Sequence, residues 1–274
     1  MSKVIVVTGA GGVLCSSFAE HLAKAGNKVA LLDLNYDAAK TVEDRIVKNG
    51  GTAKAYKTNV LDLESLKSVH SEVLKDLGKC DILINGAGGN NPRCTTLHEE
   101  YVSGDEDAKD FLTFFNIEEK GFDFVFDLNI KGVLLPSQIF MADMIGKKGC
   151  CVLNVSSMNA YRPLTKIPAY SAAKAAVSNF TSWLAVHFAK QEIRVNAIAP
   201  GFFVTNQNRA LLFDEKGEPT ARTEKILRST PMGRFGESEE LLGTVDWLID
   251  ETKSGFVTGI TVPVDGGFSA YSGV

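Results

Sequence analysis

The chain has 274 residues, of which 45% are hydrophobic, and carries a formal net charge of −4. That is enough to bury a substantial core, as one large α/β domain or as two smaller ones. No stretch is dense in Lys and Arg, so nothing electrostatic points to nucleic acid or an acidic membrane surface, and small-molecule chemistry is the better expectation.

In chain order, the first strand-like run is KVIVVTG from Lys3. Its early start is expected to leave no room for a secretory leader. No uninterrupted apolar stretch approaches the length that spans a bilayer, and the protein is expected to be cytoplasmic. The turn TGAGGVLC follows, with Gly9 and Gly11 matching the first two glycines of G-x-G-x-x-G and Leu14 standing at the third. A strand ending at Thr8 and a helix beginning near Val13 would leave the bare amides of Gly9, Gly11, Gly12, Val13 and Leu14 facing any phosphate placed there. The next strand, KVALLDL, ends in Asp33, 24 residues after Gly9. A carboxylate there accepts hydrogen bonds from an adenosine ribose and repels a 2′-phosphate, which predicts NAD rather than NADP.

The runs TAKAYKT, CDILING, CCVLNVSS, IRVNAIAPG and ITVPVDGG read as further strands, separated by helical segments. Nearly all-apolar strands imply burial on both faces. The expected fold is therefore α/β, a doubly wound, Rossmann-like three-layer sandwich with a seven-stranded parallel sheet, in a single domain over residues 1–274. Two long connections interrupt the alternation: an insertion at about 89–121 with an acidic cluster expected to be solvated, and a stretch at about 202–236 that could fold over a ligand as a lid. Cys15, Cys80, Cys94, Cys150 and Cys151 form no C-x-x-C pair and lack neighbouring histidines, so reduced thiols are expected and no metal.

The chemistry is expected in AYSAAKAAVSNFTSWLAVHF. Tyr170 and Lys174 are one helical turn apart, and an ammonium beside a phenol stabilises the phenolate and pulls its pKa toward the working range. Ser157, at the end of the run VLNVSS, would finish a strand at the carboxyl edge of the sheet, where its hydroxyl could hold a carbonyl oxygen. Val177, Phe180, Leu184 and Phe188 give the helix an apolar stripe, which leaves the polar pair at its start for a cleft.

These residues resemble the short-chain dehydrogenase/reductases over essentially the whole chain. The resemblance implies that Tyr170 donates or accepts the proton, that Ser157 polarises the substrate carbonyl, and that Lys174 tunes the tyrosine and grips the nicotinamide ribose. Asn129 matches the family asparagine that holds a proton-relay water. The cofactor set it implies adds Leu34 beside Asp33, Asn59 and Val60 near the adenine, and Asn85, Gly86 and Ala87 in a turn similar to the family N-N-A-G. Pro200, Gly201 and Thr205 complete it near the carboxamide. Four positions depart from the pattern: Val13 and Cys15 stand where glycines are usual, Asn59 replaces an aspartate, and Gly86 replaces the second asparagine.

Details outside the catalytic set are similar to a narrower, sugar-acid group. A sugar acid needs hydroxyl partners and one cation, and Asn159, Arg162, Gln207 and Arg209 are the chosen candidates, drawn from a cleft that also offers Asn90, Asn91, Arg93, Lys166 and Asn208. Arg162 or Arg209 is expected to clamp the carboxylate. Another polyol, a gluconate-like acid or an acyl ketone remain open as substrates, as does a non-catalytic nucleotide-binding redox sensor. The resemblance further implies a homotetramer, packed through helices near Lys131 to Ile145 and Tyr170 to Ala189.

Overall fold

The computed structural model describes residues 2–205 and 209–273. Among these, seven strands form one sheet: β1 (Val4–Thr8), β2 (Lys28–Asp33), β3 (Thr52–Lys57), β4 (Ile82–Asn85), β5 (Cys151–Val155), β6 (Arg194–Pro200) and β7 (Thr261–Val264). Their order is β3-β2-β1-β4-β5-β6-β7, and every pairing is parallel. The chain winds outward from β1 to β3, then returns to the other side of β1 as β4. The order reverses between β1 and β4, and there the carboxyl ends of the strands leave a crevice for a ligand.

The connecting helices are α1 (Val13–Lys24), α2 (Tyr36–Lys48), α3 (Leu63–Asp76), α4 (Glu119–Phe126), α5 (Gly132–Phe140) and α6 (Pro168–Phe188), followed by α7 (Arg209–Leu212), α8 (Ala221–Ser229), α9 (Leu242–Ile249) and α10 (Glu251–Ser254). The side-chain period of two sorts each strand between two cores. Ile5 and Val7 pack with Phe18, Leu22, Val42, Val245 and Leu248 on the α1, α2 and α9 side. Val4 and Val6 pack with Leu66, Val69, Phe140 and Leu184 on the α3, α5 and α6 side. Each such fully buried side chain contributes on the order of 1.5–3 kcal/mol, so the sheet is held from both faces.

One expectation needs correction here, and one helix needs placing first. The helical run Glu119–Met144 is long and apolar enough to cross a membrane by length and composition. Its charges at Asp127 and Lys131 pair with each other at 2.7 Å, while Val125, Val133, Phe140 and Met144 are buried in the protein core. The acidic cluster of the insertion is not wholly solvated. Asp105 is buried, accepts the Val102 amide at 3.1 Å and meets Nδ1 of His98 at 2.8 Å. The insertion is built from short 3-10 turns, at Pro92–Cys94, Asp105–Asp107 and Phe114–Asn116, before α4 begins at Glu119.

A buried polar ladder ties the sheet to the helices beneath the crevice. Asn85 Nδ2 donates to Ser137 Oγ at 3.1 Å and to Asn154 Oδ1 at 2.9 Å, and Asn154 Nδ2 donates to Thr181 Oγ1 at 2.9 Å. One amide thus joins β4, β5 and α6. Asn154→Leu strands Asn85 and Thr181 in a dry interior at a cost of about 2–4 kcal/mol. Thermal unfolding followed by circular dichroism should show a fall of roughly 5–10 °C, with Thr181→Val costing less than half as much.

Candidate active site

The nucleotide end of the crevice is shaped by the turn after β1. Gly9 has φ +67°, and an added Cβ would stand 2.9 Å from the amide nitrogen of Ala87, so both conformation and space require glycine. Gly12 donates its N–H to the Gly9 carbonyl at 3.0 Å. Gly12 is also the N-cap of α1 and offers no side-chain cap, unlike Asn35 on α2 and Asp62 on α3. The positive end of α1 therefore opens into the crevice, as an anion site requires. Asp33 closes the other wall: Oδ2 accepts the Gly11 amide at 2.9 Å and Oδ1 accepts the Asn35 amide at 2.8 Å. These two bonds fix the carboxylate at the mouth of the turn, and they correct the expectation of bare amides: those of Gly11 and Gly12 are spent inside the turn, on Asp33 and on the Gly9 carbonyl, so the uncapped start of α1 at Val13 and Leu14 is the end that fits a dinucleotide phosphate.

The catalytic end is assembled from three elements. β5 stops at Val155 rather than at Ser157. Ser156 still donates its amide to Ile198, and Ser157 then turns the chain by accepting the Asn159 amide at 3.2 Å and capping the 3-10 turn Met158–Ala160. From α6, the Tyr170 hydroxyl comes close to the Ser157 side chain. Burial pushes the Tyr170 phenol above its usual value, and the neighbouring Ser157 hydroxyl works against that rise. The ammonium of Lys174 lies 5.6 Å from the centre of the Tyr170 ring. It donates to the Val155 carbonyl at 2.9 Å, and burial brings its pKa down to about 8. The sequence argument expects the cation to dominate the phenol; in the folded protein desolvation of the phenol is the larger effect.

Asn129 reaches the same place from the long helix, which widens to a π turn at Asp127–Lys131. Its Nδ2 donates to the Val125 carbonyl at 2.7 Å and to the Gly89 carbonyl at 2.8 Å, and its Oδ1 accepts the Gly89 amide at 3.3 Å. The π turn thus marks a functional position, as such turns commonly do. A Cβ on Gly88 would stand 2.8 Å from Asn129 Oδ1 and 3.0 Å from Lys174 Nζ, so Asn129, Lys174 and the turn after β4 converge on one point. The sequence reading stops that turn at Ala87; its signal for Gly88 and Gly89 is the doubled glycine of NGAGG.

Other predicted residues fall in varied places. The Asn85 side chain points into the helix layer, as described above. Gly86 and Ala87 donate their amides to Thr8 Oγ1 at 3.1 and 3.2 Å, which makes Thr8 the clamp between the β1 and β4 turns. Leu34 is exposed beside Asp33, and Val60 is buried. Asn59 Oδ1 accepts the Leu61 amide at 3.0 Å. Pro200 ends β6, and Gly201 lies against the Asp265 backbone, where a Cβ would not fit. Thr205 accepts the Arg209 amide through its carbonyl at 3.0 Å.

On the proposed substrate side, Asn159 is buried with Oδ1 unpaired among the described residues. Arg162 is exposed and uses Nε to bind the Ser269 carbonyl at 3.1 Å, and Arg209 stacks on Phe213 at 5.6 Å. Gln207 and Asn208 lie outside the described residues. Sequence reasoning also missed Cys94, which brings the insertion under the catalytic helix in a small core with Val125, Ala169 and Ala173, against the Tyr170 ring. All five cysteines are buried thiols, and among the described residues no three His, Cys, Asp or Glu side chains gather as metal ligands.

A crevice at the reversal point of a parallel sheet, with an anion-ready helix at one end and a serine, tyrosine and lysine at the other, defines a nucleotide-dependent oxidoreductase. The short chain dehydrogenase profile matches residues 3–216, and the chain belongs to that family, which acts on CH–OH groups. An uncharacterised oxidoreductase of Haemophilus influenzae is 60% identical over 273 residues, covering 100% of this chain and 95% of that protein. A solved Haemophilus structure with bound NAD, provisionally named a D-mannonate oxidoreductase, superposes with a TM-score of 0.95 at 61% identity, covering 99% of this chain and 96% of that one. The 2-dehydro-3-deoxy-D-gluconate 5-dehydrogenase of Dickeya dadantii is 31% identical over 269 residues, 98% of this chain and 96% of its own length.

The buried lysine carries a testable signature. Its pKa falls on folding from 10.5 to about 8, so between those values the unfolded chain holds the extra proton and stability rises with pH. The penalty is full below about pH 8 and is lost toward 10.5. Lys174→Met should therefore unfold at a higher temperature than the parent at pH 7. Melting curves across pH 7–10 should show that advantage shrinking, and a constant offset would contradict it.

Proposed function

We propose that this chain is an NAD-dependent oxidoreductase that interconverts D-fructuronate and D-mannonate. The observation that carries the chemistry is the gathering of Ser157, Tyr170 and the buried Lys174, whose ammonium lies 5.6 Å from the centre of the phenol ring, at the mouth of a crevice whose far wall ends in Asp33. What supports the cofactor is the Asp33 carboxylate, which suits a free ribose hydroxyl and repels a 2′-phosphate, together with the bound NAD in the Haemophilus structure. What supports the substrate is the 61% identity to that structure, provisionally named a D-mannonate oxidoreductase.

A bound nicotinamide dinucleotide supplies or accepts the hydride. In the reduction direction the Tyr170 phenol, kept protonated by burial, donates its proton to the developing alkoxide, and Ser157 holds the same oxygen by a hydrogen bond. Lys174 stabilises the phenolate left behind. The cofactor would be held by the turn from Gly9 to Gly12 and the Val13 and Leu14 amides at the start of α1, by Asp33, and by the turn from Gly86 to Ala87, with Pro200, Gly201 and Thr205 at its nicotinamide end. Asn129 positions the turn after β4 through its bonds to Gly89. For the sugar acid, Asn159 offers a buried carbonyl oxygen to a substrate hydroxyl, and Arg162 or Arg209 meets the carboxylate. The reading includes a homotetramer that covers the exposed Trp183 and Val186 of α6.

Other 5-oxo or 2-oxo gluconate-like acids are the second reading, favoured by the Dickeya relative. A spectrophotometric screen of hexuronates and aldonates, run with NADH and NADPH side by side, separates the two. D-Fructuronate with NADH should give the highest kcat/KM; faster turnover of a gluconate-type ketone would move the substrate, and a preference for NADPH would refute the role of Asp33. Tyr170→Phe should bind NADH within about threefold of the parent and lose about 10²–10⁴ in kcat.

A further inference from the structure

We infer that Cys15 and Gly86 are a matched pair that sets the spacing of the two cofactor-binding turns. Cys15 sits in the first turn of α1 and is buried. Gly86 sits in the turn after β4, and its φ is not in the left-handed region, so backbone conformation does not demand a glycine there. Space does. A Cβ built at position 86 would overlap the Cys15 sulfur, yet would stand at an ordinary 3.6 Å from the Cys15 Cβ. The thiol of one turn fills the place that a side chain on the other would need. The two departures from the family pattern at these positions are thus a single exchange of volume, moved from the β4 turn to α1.

The consequence is positional. The amides of Gly86 and Ala87 hang from Thr8 Oγ1, Gly9 lies within 3.0 Å of Ala87 for any added Cβ, and Gly88 abuts Lys174 and Asn129. A side chain forced in at position 86 pushes the β4 turn away from α1, which moves the walls of the nucleotide crevice and the support of Lys174 together. Cys15 acts through Gly86 on the cofactor site and is a positioning residue. The inference rests on the NAD reading above for its binding consequence, but the packing itself does not.

The test is a double-mutant cycle with NADH affinity, by fluorescence titration, and the melting temperature of the nucleotide-free protein as separate readouts. Gly86→Ala should weaken NADH at least 30-fold and lower the melting temperature by several degrees. Cys15→Ala alone should weaken NADH threefold to fivefold by opening a small void. Combined, Cys15→Ala should rescue Gly86→Ala at least fivefold, because the overlap with the sulfur is then gone and the Cβ at position 15 stands 3.6 Å from the new methyl group. A remaining deficit is expected, since the Cβ at 86 also stands 2.9 Å from the Thr8 carbonyl oxygen. If Cys15→Ala is harmful or neutral in both backgrounds by melting temperature, the pair does not exist. If the melting temperatures show the rescue while the parent protein binds no NADH, the packing inference stands and the NAD reading falls.

Discussion

A single buried ammonium organises the active site. Lys174 is only 4% exposed, and an uncompensated charge in that setting would cost several kcal/mol. The protein answers with a dipole rather than with a carboxylate: the Val155 carbonyl accepts at 2.9 Å, and Gly88 leaves open the space between the ammonium and Asn129 Oδ1 that a side chain there would fill. Each answer imposes a structural demand. The carbonyl requires that β5 end at Val155, where its oxygen is no longer bound to a neighbouring strand. The close approach of Gly88 excludes any side chain there. The Asn129 position requires a helix that widens by one residue, so that a side-chain amide replaces a main-chain donor to Val125.

The turn after β4 is therefore the hub between the proposed cofactor turn and the proposed catalytic residues. Through Thr8 it is tied to the phosphate-facing turn, and through Gly88 and Gly89 it reaches Lys174 and Asn129. Below it, Asn85 and Asn154 pin the strands to α5 and α6. The insertion contributes from the opposite direction. Ile117 and the fully buried Cys94 pack in the cluster that carries the Tyr170 ring, so a segment that reads as a surface excursion supports the start of the catalytic helix, where no side chain caps Ile167.

The strands were legible because burial on both faces leaves little choice of residue, and Asp33, Tyr170 and Lys174 because their spacing alone places them at strand end and helix face. What depended on distant partners was not. Asp105 looks like one acid among several until His98 and the Val102 amide fold onto it. Asn85 reads as a cofactor ligand by its place beside a glycine turn, yet the side-chain period of the strand sends it to the helix layer. Arg162 reads as a free cation in a polar loop, and only the folded C-terminal turn shows that its Nε is engaged by Ser269. In each case the deciding contact joins segments whose meeting no local pattern encodes.

The two titrating groups of the site are displaced in a common sense. Burial raises the Tyr170 phenol and lowers the Lys174 ammonium, each toward its neutral form, because the same loss of solvent penalises both charges. At neutral pH the lysine, at about 8, still holds its proton for most of the time, while the tyrosine is fully protonated. The resting pair is thus an acid and a cation, which is the arrangement that the proposed ketone reduction would consume. Oxidation of the alcohol needs the phenolate first, and forming that charge in a desolvated site is costly unless the ammonium stays. Both directions would pass through the same partly formed phenolate, so in the proposed reaction the Lys174 charge would support reduction and oxidation alike.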